Sequence, residues 1–358
     1  MPVKEIFNNP NSRWMDDDGP ETGVIISSRV RVARNLKDLP FPHLLDQEKS
    51  ENVVSTVTPA FQNEETFRED RFEFFRISEL SPVERQILVD KHLISPDLLN
   101  KLEGKAVVLR EDGVVSVMLN EEDHLRIQCL LPGLKLERAW EIVEKVDNGL
   151  EKTLDYAYSE KFGYLTACPT NTGTGMRASV MVHLCGLVLT RQLNNMLNAV
   201  HKLGLTVRGL YGEGTEALGD LFQISNQITL GQSEGEIIAN LNSIARQILA
   251  QERSARTVLF KEKKEMIMDR AWRAFGILKN ARVMTSEEVM RLISDLRLGV
   301  DLGILPAMPL KLLNELMVMT RPAFLTQLAA RDMEPHQRDI FRAELVRNGL
   351  SGLDGLAG

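Results

Sequence analysis

Five arginines of this chain stand in segments where a phosphate could meet several of them at once. Arg29 and Arg31 occupy alternate positions in a stretch that is otherwise apolar or small, and Arg34 follows shortly after. Arg126 and Arg208 fall in strand-like segments, and Arg177 closes a Gly/Thr-rich loop. Alternate positions on a strand point the same way, so Arg29 and Arg31 can share a face. A planar guanidinium binds phosphate oxygens two at a time and keeps its charge, which suits a triphosphate. Taken singly, an arginine of this kind is more often a surface salt bridge, and the Arg29–Arg34 cluster alone more often a solvated basic face.

Two acidic loops complement the arginines. Asn120-Glu121-Glu122-Asp123-His124 interrupts one strand pattern, and Gly212-Glu213-Gly214-Thr215-Glu216 follows another. Paired carboxylates are a natural receptor for a guanidinium, because they orient its planar fork and can accept a proton. A guanidinium is protonated near neutral pH, so a nitrogen that accepts a phosphoryl group must lose that proton during the reaction. On spacing alone the two loops are ordinary acidic turns. Cys168 opens the Gly/Thr-rich loop, and a buried, inert cysteine is its commoner fate. The Gly-x-x-x-x-Gly-Lys-Ser/Thr phosphate loop and the His-Arg-Asp loop of the eukaryotic protein kinases are both missing.

These residues need a sheet to hold them. A polar first segment, residues 1–20, reads as a flexible arm, and residues 23–32 as the strand that carries the first arginines. Helical patterns cover 46–60 and 81–91. Residues 106–110 and 114–119 are apolar or β-branched runs joined through Glu111-Asp112-Gly113, a hairpin signal, and a third strand follows at 124–130. A helix over 136–157, a long helical stretch over 179–201, and strands at 206–210 and 221–229 complete the front half. From residue 233 onward the pattern is helical. Val289, Leu292, Ile293 and Leu296 keep helical spacing after the capping signal Thr285-x-x-Glu288. The expected organisation is α+β: an antiparallel-sheet domain over 21–250, then an all-helical domain over 255–350.

Composition bounds the function classes. Hydrophobic residues make up 43% of the 358 and charged residues 26%, as in an ordinary globular protein. The net charge of −7 argues against a general nucleic-acid binder. Apolar runs are too short to span a bilayer, and the first residues lack the apolar core of a secretory signal. Three cysteines, Cys129, Cys168 and Cys185, indicate neither a disulfide framework nor a zinc site. A cytoplasmic enzyme without a protein-held metal is the expectation.

Four blocks then resemble, in order, the signatures of the guanidino phosphotransferases. They are Ser27-Ser28-Arg29-Val30-Arg31, Asn120 to Arg126, Cys168-Pro169-Thr170-Asn171 through Ser179, and Arg208-Gly209-Leu210-Tyr211-Gly212-Glu213. Within that family the chain looks most like the bacterial protein-arginine kinases. The first block begins at residue 27, leaving no room for the helical front domain of creatine and small-molecule arginine kinases. His92, the run from Gln223 to Gly231 and the block Arg338-Asp339-Ile340-Phe341-Arg342-Ala343 also look like that branch. Read bare, the last block is a charged helix face with Arg338 and Arg342 one turn apart.

The resemblance implies roles. Arg29, Arg31, Arg126, Arg177 and Arg208 would hold the phosphates of ATP, with Ser27, Ser28, Val30 and His92 beside them. The neighbouring Ala178, Ser179, Val180, Met181, Gly209, Leu210, Tyr211, Gly212 and Glu213 would complete the nucleotide site. Glu122 and Glu213 would grip and deprotonate the acceptor guanidinium, and Cys168 would lie next to it. Mg²⁺ is expected with ATP, held chiefly by phosphate and water oxygens. Arg338, Asp339, Ile340, Phe341, Arg342 and Ala343 would form an allosteric phosphoarginine pocket. Implied partners are proteins with accessible arginines, such as a heat-shock repressor, with a possible activator protein, a Clp-type unfoldase in the stress response, and further copies of the chain. A kinase of free small guanidines and a non-catalytic reader of phosphoarginine are the alternatives. Two positions depart from the family pattern: Thr172 stands where leucine is usual, and Cys185 where proline is frequent.

Overall fold

The computed structural model describes residues 4–63, 65–68, 70–210 and 217–351. Its centre is the arginine-bearing segment, which forms the strand β1, Ile25–Arg34. The other strands are β2 Phe72–Arg76, β3 Ala106–Arg110, β4 Val115–Leu119, β5 Leu125–Pro132, the short pair β6 Tyr158–Ser159 and β7 Gly163–Tyr164, β8 Met176–His183, β9 Leu205–Gly209 and β10 Leu221–Asn226. Eight of them make one antiparallel sheet in the order β2-β3-β4-β5-β1-β8-β10-β9. The helices of the front half are α1 Lys4–Asn8, α2 Gln47–Val57, α3 Ala60–Asn63, α4 Pro82–Asp90, α5 Leu136–Glu151, α6 Cys185–Leu189 and α7 Leu193–Lys202. The tail contains α8 Glu234–Glu262, α9 Lys264–Asn280, α10 Ser286–Asp301, α11 Leu310–Met319, α12 Pro322–Ala329 and α13 Pro335–Ser351. The α+β class and the helical tail expected from the sequence are both present.

Local chemistry explains several boundaries. Ser81 and Glu84 cap α4 reciprocally, as Ser233 and Glu236 cap α8, each pair satisfying two N-terminal donors. Thr285 accepts the Glu288 N–H at the start of α10. Gly113, with φ +68°, makes the turn between β3 and β4, and its N–H donates to the Arg110 carbonyl.

Each face of the sheet has its own core. On one face Val30, Val32, Ile127, Cys129, Ala178 and Val180 pack against α5 and α8. The other face carries the arginines, and around them Val107, Leu109, Met118, Leu130 and Met181 pack with the helical tail. Helix α8 runs through the boundary expected at 250–255, and the chain turns at Lys263.

Three expectations are corrected. Residues 179–201 are not one helix: 176–183 form a strand deep in the sheet, followed by the two short helices. Its apolar spacing resembled a helix, but pairing to β1 and β10 on both sides decides the conformation. Residues 4–20 are not a free arm. Trp14 and Met15 are fully buried, and Phe7 nearly so, which fastens an otherwise polar segment to the fold. Finally, the edge strand β2 was not expected, because its residues are only half-buried and lack an alternating pattern.

Candidate active site

The register of the sheet gathers the arginines. Arg31 on β1 stands directly opposite Arg177 on β8 and Gln128 on β5, and Ala33 stands opposite Arg126. Arg29 pairs with Ser179, Ser179 with Ser225, and Gln223 with Arg208. Paired residues share a face, so Arg29, Arg31, Arg126 and Arg177, on the three neighbouring strands β5, β1 and β8, lie on one side of the sheet with Arg208 of the edge strand β9. Ser27, Ser179 and Met181 lie on that side too. Ser28, Val30, Ala178 and Val180 belong to the opposite side. Ser28 Oγ donates to the Gly133 carbonyl and accepts the Lys135 N–H, while the other three sit in the core. Their side chains therefore shape the strands instead of lining the arginine face.

Like charges set opposite each other destabilise a sheet. Burial, followed by Arg29, Arg126 and Arg177, pushes the Arg31 guanidinium well below its ordinary range. Burial and then Arg208 and Arg126 lower the Arg177 guanidinium as well. Arg31 Nε is buried without a hydrogen-bond partner among the described residues. Arg177 donates to Ser225 Oγ at 3.3 Å. A polyanion laid on this face would relieve both the repulsion and the unmet donor, and a nucleotide triphosphate has the required charge. Beside Arg29, a small cavity is lined by Ser27, His92, Ser179, Met181 and Gln223. Burial, then Arg29 and Arg321, pushes the His92 imidazole down to about 3, so it is neutral.

The loop between β4 and β5 divides its labour residue by residue. Asn120 adopts φ +57° and donates to the carbonyls of Ser50 and Gly104 at 2.9 and 2.7 Å. Glu121 is buried, accepts Ser95 Oγ at 2.6 Å, and clamps Arg126. Glu122 is the outward carboxylate, half-exposed, 3.7 Å from Arg126 Nη2 and accepting Asn171 Nδ2 at 3.3 Å. Burial raises the Glu122 carboxyl above its usual range, against the opposing pull of Arg126. Asp123 accepts Asn35 Nδ2 and the Ala167 N–H, both at 2.7 Å, which ties this loop to the one beginning at Cys168. His124 Nδ1 accepts the Leu36 N–H, leaving Nε2 to donate to the Pro40 carbonyl. Burial holds this histidine neutral, down to about 4.

Glu122 borders a cleft of about 690 Å³ that also exposes Asp97, Lys105, Glu121 and Arg126. Cys168 is half-buried, with Sγ 3.0 Å from Thr170 Oγ1. The loop it opens is braced by Thr229, whose hydroxyl contacts the carbonyls of Thr170 and Thr172 at 2.9 and 2.8 Å. Asn171 thus links Glu122 to the Cys168 loop. Tyr211, Gly212 and Glu213, expected in the site, lie outside the described residues, as do Gly214, Thr215 and Glu216. Gly209 and Leu210 precede them at the end of β9, and Leu210 borders the cavity beside Arg29.

Sequence spacing did not distinguish Glu121 from Glu122, nor did it point to Asn35, Gln128 or Asn171. Their roles depend on contacts 5 to 130 residues apart. Among the described residues, the one group with metal-like proximity is His183, Cys185 and Asp220, within 4.8 Å of one another. Two of its members also belong to a hydrogen-bond relay: Arg256 donates to His183 Nδ1, His183 Nε2 meets Ser294 Oγ, and Ser294 donates to Asp220.

At the far end, Arg338, Asp339, Ile340, Phe341, Arg342 and Ala343 lie on α13. Arg342 is buried and donates to the carbonyls of Thr320 and Met284, both at 2.8 Å, and to Asp339. Arg338 donates to the Met333 carbonyl at 2.9 Å, Ala343 is buried, and Ile340 is exposed. Ile340 and Phe341 border a cleft of about 500 Å³ with Leu328, Met333 and Gln337.

Known proteins resemble the chain over nearly its whole length. Residues 52–255 match the catalytic domain described as "ATP:guanido phosphotransferase, C-terminal catalytic domain", and residues 264–356 match "Protein-arginine kinase McsB C-terminal domain". The chain is 66% identical over 354 residues to a protein-arginine kinase of Pelotomaculum thermopropionicum, covering 99% of each chain. It is 56% identical to that of Desulforamulus reducens, again over 99% of each. In structure it is similar to lombricine kinase, with a TM-score of 0.59 and 22% identity over 71% of this chain and 76% of that one, a likeness of fold.

Proposed function

This chain belongs to the ATP:guanido phosphotransferase family, and from that premise we infer that it is a protein-arginine kinase, passing the γ-phosphoryl group of ATP to arginine side chains of proteins. The observation that carries the reading is the gathering of Arg29, Arg31, Arg126 and Arg177 on one sheet face, with Glu122 at its rim. Phosphoryl transfer asks little covalent chemistry of a protein; it needs alignment and charge neutralisation. The arginines hold the phosphates, and Glu121 fixes the orientation of Arg126. Glu122 receives the acceptor guanidinium, aligns its fork and takes a proton from the attacking nitrogen. That nitrogen forms the new N–P bond as the bond from the γ-phosphorus to the ADP oxygen breaks. Glu213 is the second carboxylate on this reading, and Cys168 flanks the acceptor.

The divalent ion inferred for the reaction is Mg²⁺, which would supply neutralisation of phosphate charge when bound with ATP. The residues present fit that division of labour: Glu121 is committed to Arg126 and Ser95, so phosphate and water oxygens would hold the ion. Phosphoarginine binding at the tail would use Arg338 and Asp339 and compete with Thr320 and Met284 for Arg342. Regulation by such binding, a role in the stress response with a Clp-type unfoldase, a heat-shock repressor as substrate, an activator protein and assembly into homo-oligomers complete the proposal, in the cytoplasm. Among the described residues no helix is long and apolar enough to cross a membrane.

The deciding experiment is incubation with Mg·ATP and either free arginine or an arginine-bearing protein, read by mass spectrometry for acid-labile phosphate. Label on protein arginines alone is the expected result. Label on free arginine alone would make the chain a small-guanidine kinase; label on neither would leave a phosphoarginine reader or a kinase awaiting its activator, which a phosphoarginine-binding assay then separates.

A further inference from the structure

The first residues of the chain meet the nucleotide face at Lys91. This lysine is fully buried, and its ammonium donates to the carbonyls of Ile6, Asn9 and Asn11 at 2.7, 2.6 and 3.2 Å. Three donors meet three acceptors, the full capacity of the group. Burial pushes the Lys91 ammonium down to about 7, and the three carbonyls are what its protons meet. Trp14 closes the latch by donating Nε1 to the Lys91 carbonyl at 3.1 Å.

His92, the next residue, borders the cavity beside Arg29. Its backbone adopts φ +60°, a conformation that a non-glycine residue keeps only when its surroundings impose it. The surroundings are identifiable. Trp14 lies against the imidazole with ring centroids 5.4 Å apart, and Gln128 donates to the His92 carbonyl at 2.8 Å. The same segment reaches the helical tail on its other side. Asp16 pairs with Lys311 at 2.8 Å, the Met15 carbonyl accepts Asn314 Nδ2 at 2.8 Å, and Asn8 Oδ1 accepts Gln327 Nε2 at 2.8 Å.

We propose that Lys91 is a positioning residue for the nucleotide site, fastening residues 6–14 as a strap so that Trp14 holds the His92 ring beside Arg29. The inference rests on the arginine face being the nucleotide site. Lys91 touches no substrate; it acts through Trp14 and His92. Because the strap is also tied to α11 and α12, movement of the tail reaches His92 by the same route.

The test is Lys91→Met and Trp14→Phe in the full chain, with kcat and the KM for ATP and for a protein acceptor, beside hydrogen exchange of residues 6–15. The expected result is faster exchange in the strap and a KM for ATP raised about tenfold, the effect of losing one charge-assisted contact. kcat and the acceptor KM should stay within about twofold. In a His92→Ala background the Lys91→Met effect on ATP should vanish, which a general loosening of the fold would not produce. A loosened strap with an unchanged KM for ATP would overturn the proposal, as would equal effects on both substrates. If Lys91→Met does not fold, Lys311→Met loosens the strap from its exposed side, with a smaller rise in the ATP KM expected and no rise overturning it. Arg31→Met, assayed beside them for ATP binding, separates the two readings. If it binds ATP normally the nucleotide reading fails; if it does not, while Lys91→Met does, only the strap inference fails.

Discussion

Arg31 and Arg34 are three residues apart on one strand, yet their surroundings are opposite. Arg34 leaves the end of β1 on the helix side, where its Nε donates to both oxygens of Asp147 and its Nη2 lies 2.6 Å from one of them. Its Nη1 donates to the carbonyls of Ala33 and Thr174, both at 2.9 Å, and its guanidinium stacks 3.5 Å over the Tyr164 ring. Arg31 is surrounded by Arg29, Arg126 and Arg177, with Glu121 already clamped to one of them. Far away, Arg256 repeats the Arg34 pattern. Burial alone would lower it, but Glu252 and Asp301 raise it above the ordinary range. A buried arginine whose donors are all met is part of the scaffold. Arg31 stands among like charges with its Nε unmet, an arrangement that a bound anion would relieve.

Two substitutions test that distinction and should have the largest effects. Arg31→Met should lower kcat/KM by on the order of 10³-fold, the scale for an arginine that stabilises a transferring phosphoryl group, while thermal stability is unchanged or higher. Arg34→Met should do the reverse. It strands the Asp147 carboxylate in the interior and should cost about 3–5 kcal/mol of stability, while the folded protein keeps its KM for ATP. Calorimetry and steady-state kinetics on the two variants decide the matter. An unstable Arg31→Met with normal kinetics, or a stable Arg34→Met with weak ATP binding, would break the comparison.

The same contrast separates the two neighbouring glutamates and gives the next largest effect. Glu122→Gln keeps the shape but cannot take a proton, so kcat should fall by about 10²–10⁴-fold with ATP binding intact. Because burial raises the Glu122 carboxyl above its ordinary range, the base is lost as pH falls through that raised value. The acid limb of kcat/KM should therefore lie above the usual glutamate range near 4.5 and disappear from what activity Glu122→Gln retains. An unshifted limb in that variant would assign it to another group. Glu121→Gln should instead weaken ATP binding through Arg126, with a smaller effect on kcat.

Much of this was legible in the sequence because it depends on short periods. The alternation of Arg29 and Arg31 foretold a shared face, and Asp112-Gly113 foretold the hairpin that leads to Arg126. What stayed hidden depends on pairing across the chain. The segment 176–183 merges into a helical reading although Ala178, Val180 and Val182 alternate with Arg177 and Ser179; pairing to β1 and β10 makes it a strand. Nothing local shows that Lys91 collects carbonyls from residues 6, 9 and 11, about eighty residues earlier. The polar arm looked free because its buried apolar residues, Phe7, Trp14 and Met15, stand without periodicity and give no signal.

The smallest effect expected is at Thr172, where the family usually has leucine. Its hydroxyl reaches only Thr166 Oγ1, at 3.1 Å, in the loop that follows Cys168. The loop is held by its backbone: the Thr172 N–H donates to the Pro169 carbonyl, and the Thr172 carbonyl accepts the Thr229 hydroxyl at 2.8 Å. Neither bond uses the Thr172 side chain, so Thr172→Leu should leave Asn171 in place beside Glu122. Steady-state kcat should change by no more than about twofold, and stability by about 0.5 kcal/mol, as at other positions away from buried networks. Thr229→Val removes the brace itself and should have the larger effect on the acceptor KM. If Thr172→Leu shifted that KM tenfold while Thr229→Val did not, the loop would be positioned by its side chains, and the acceptor half of the site would need a different account from the nucleotide half.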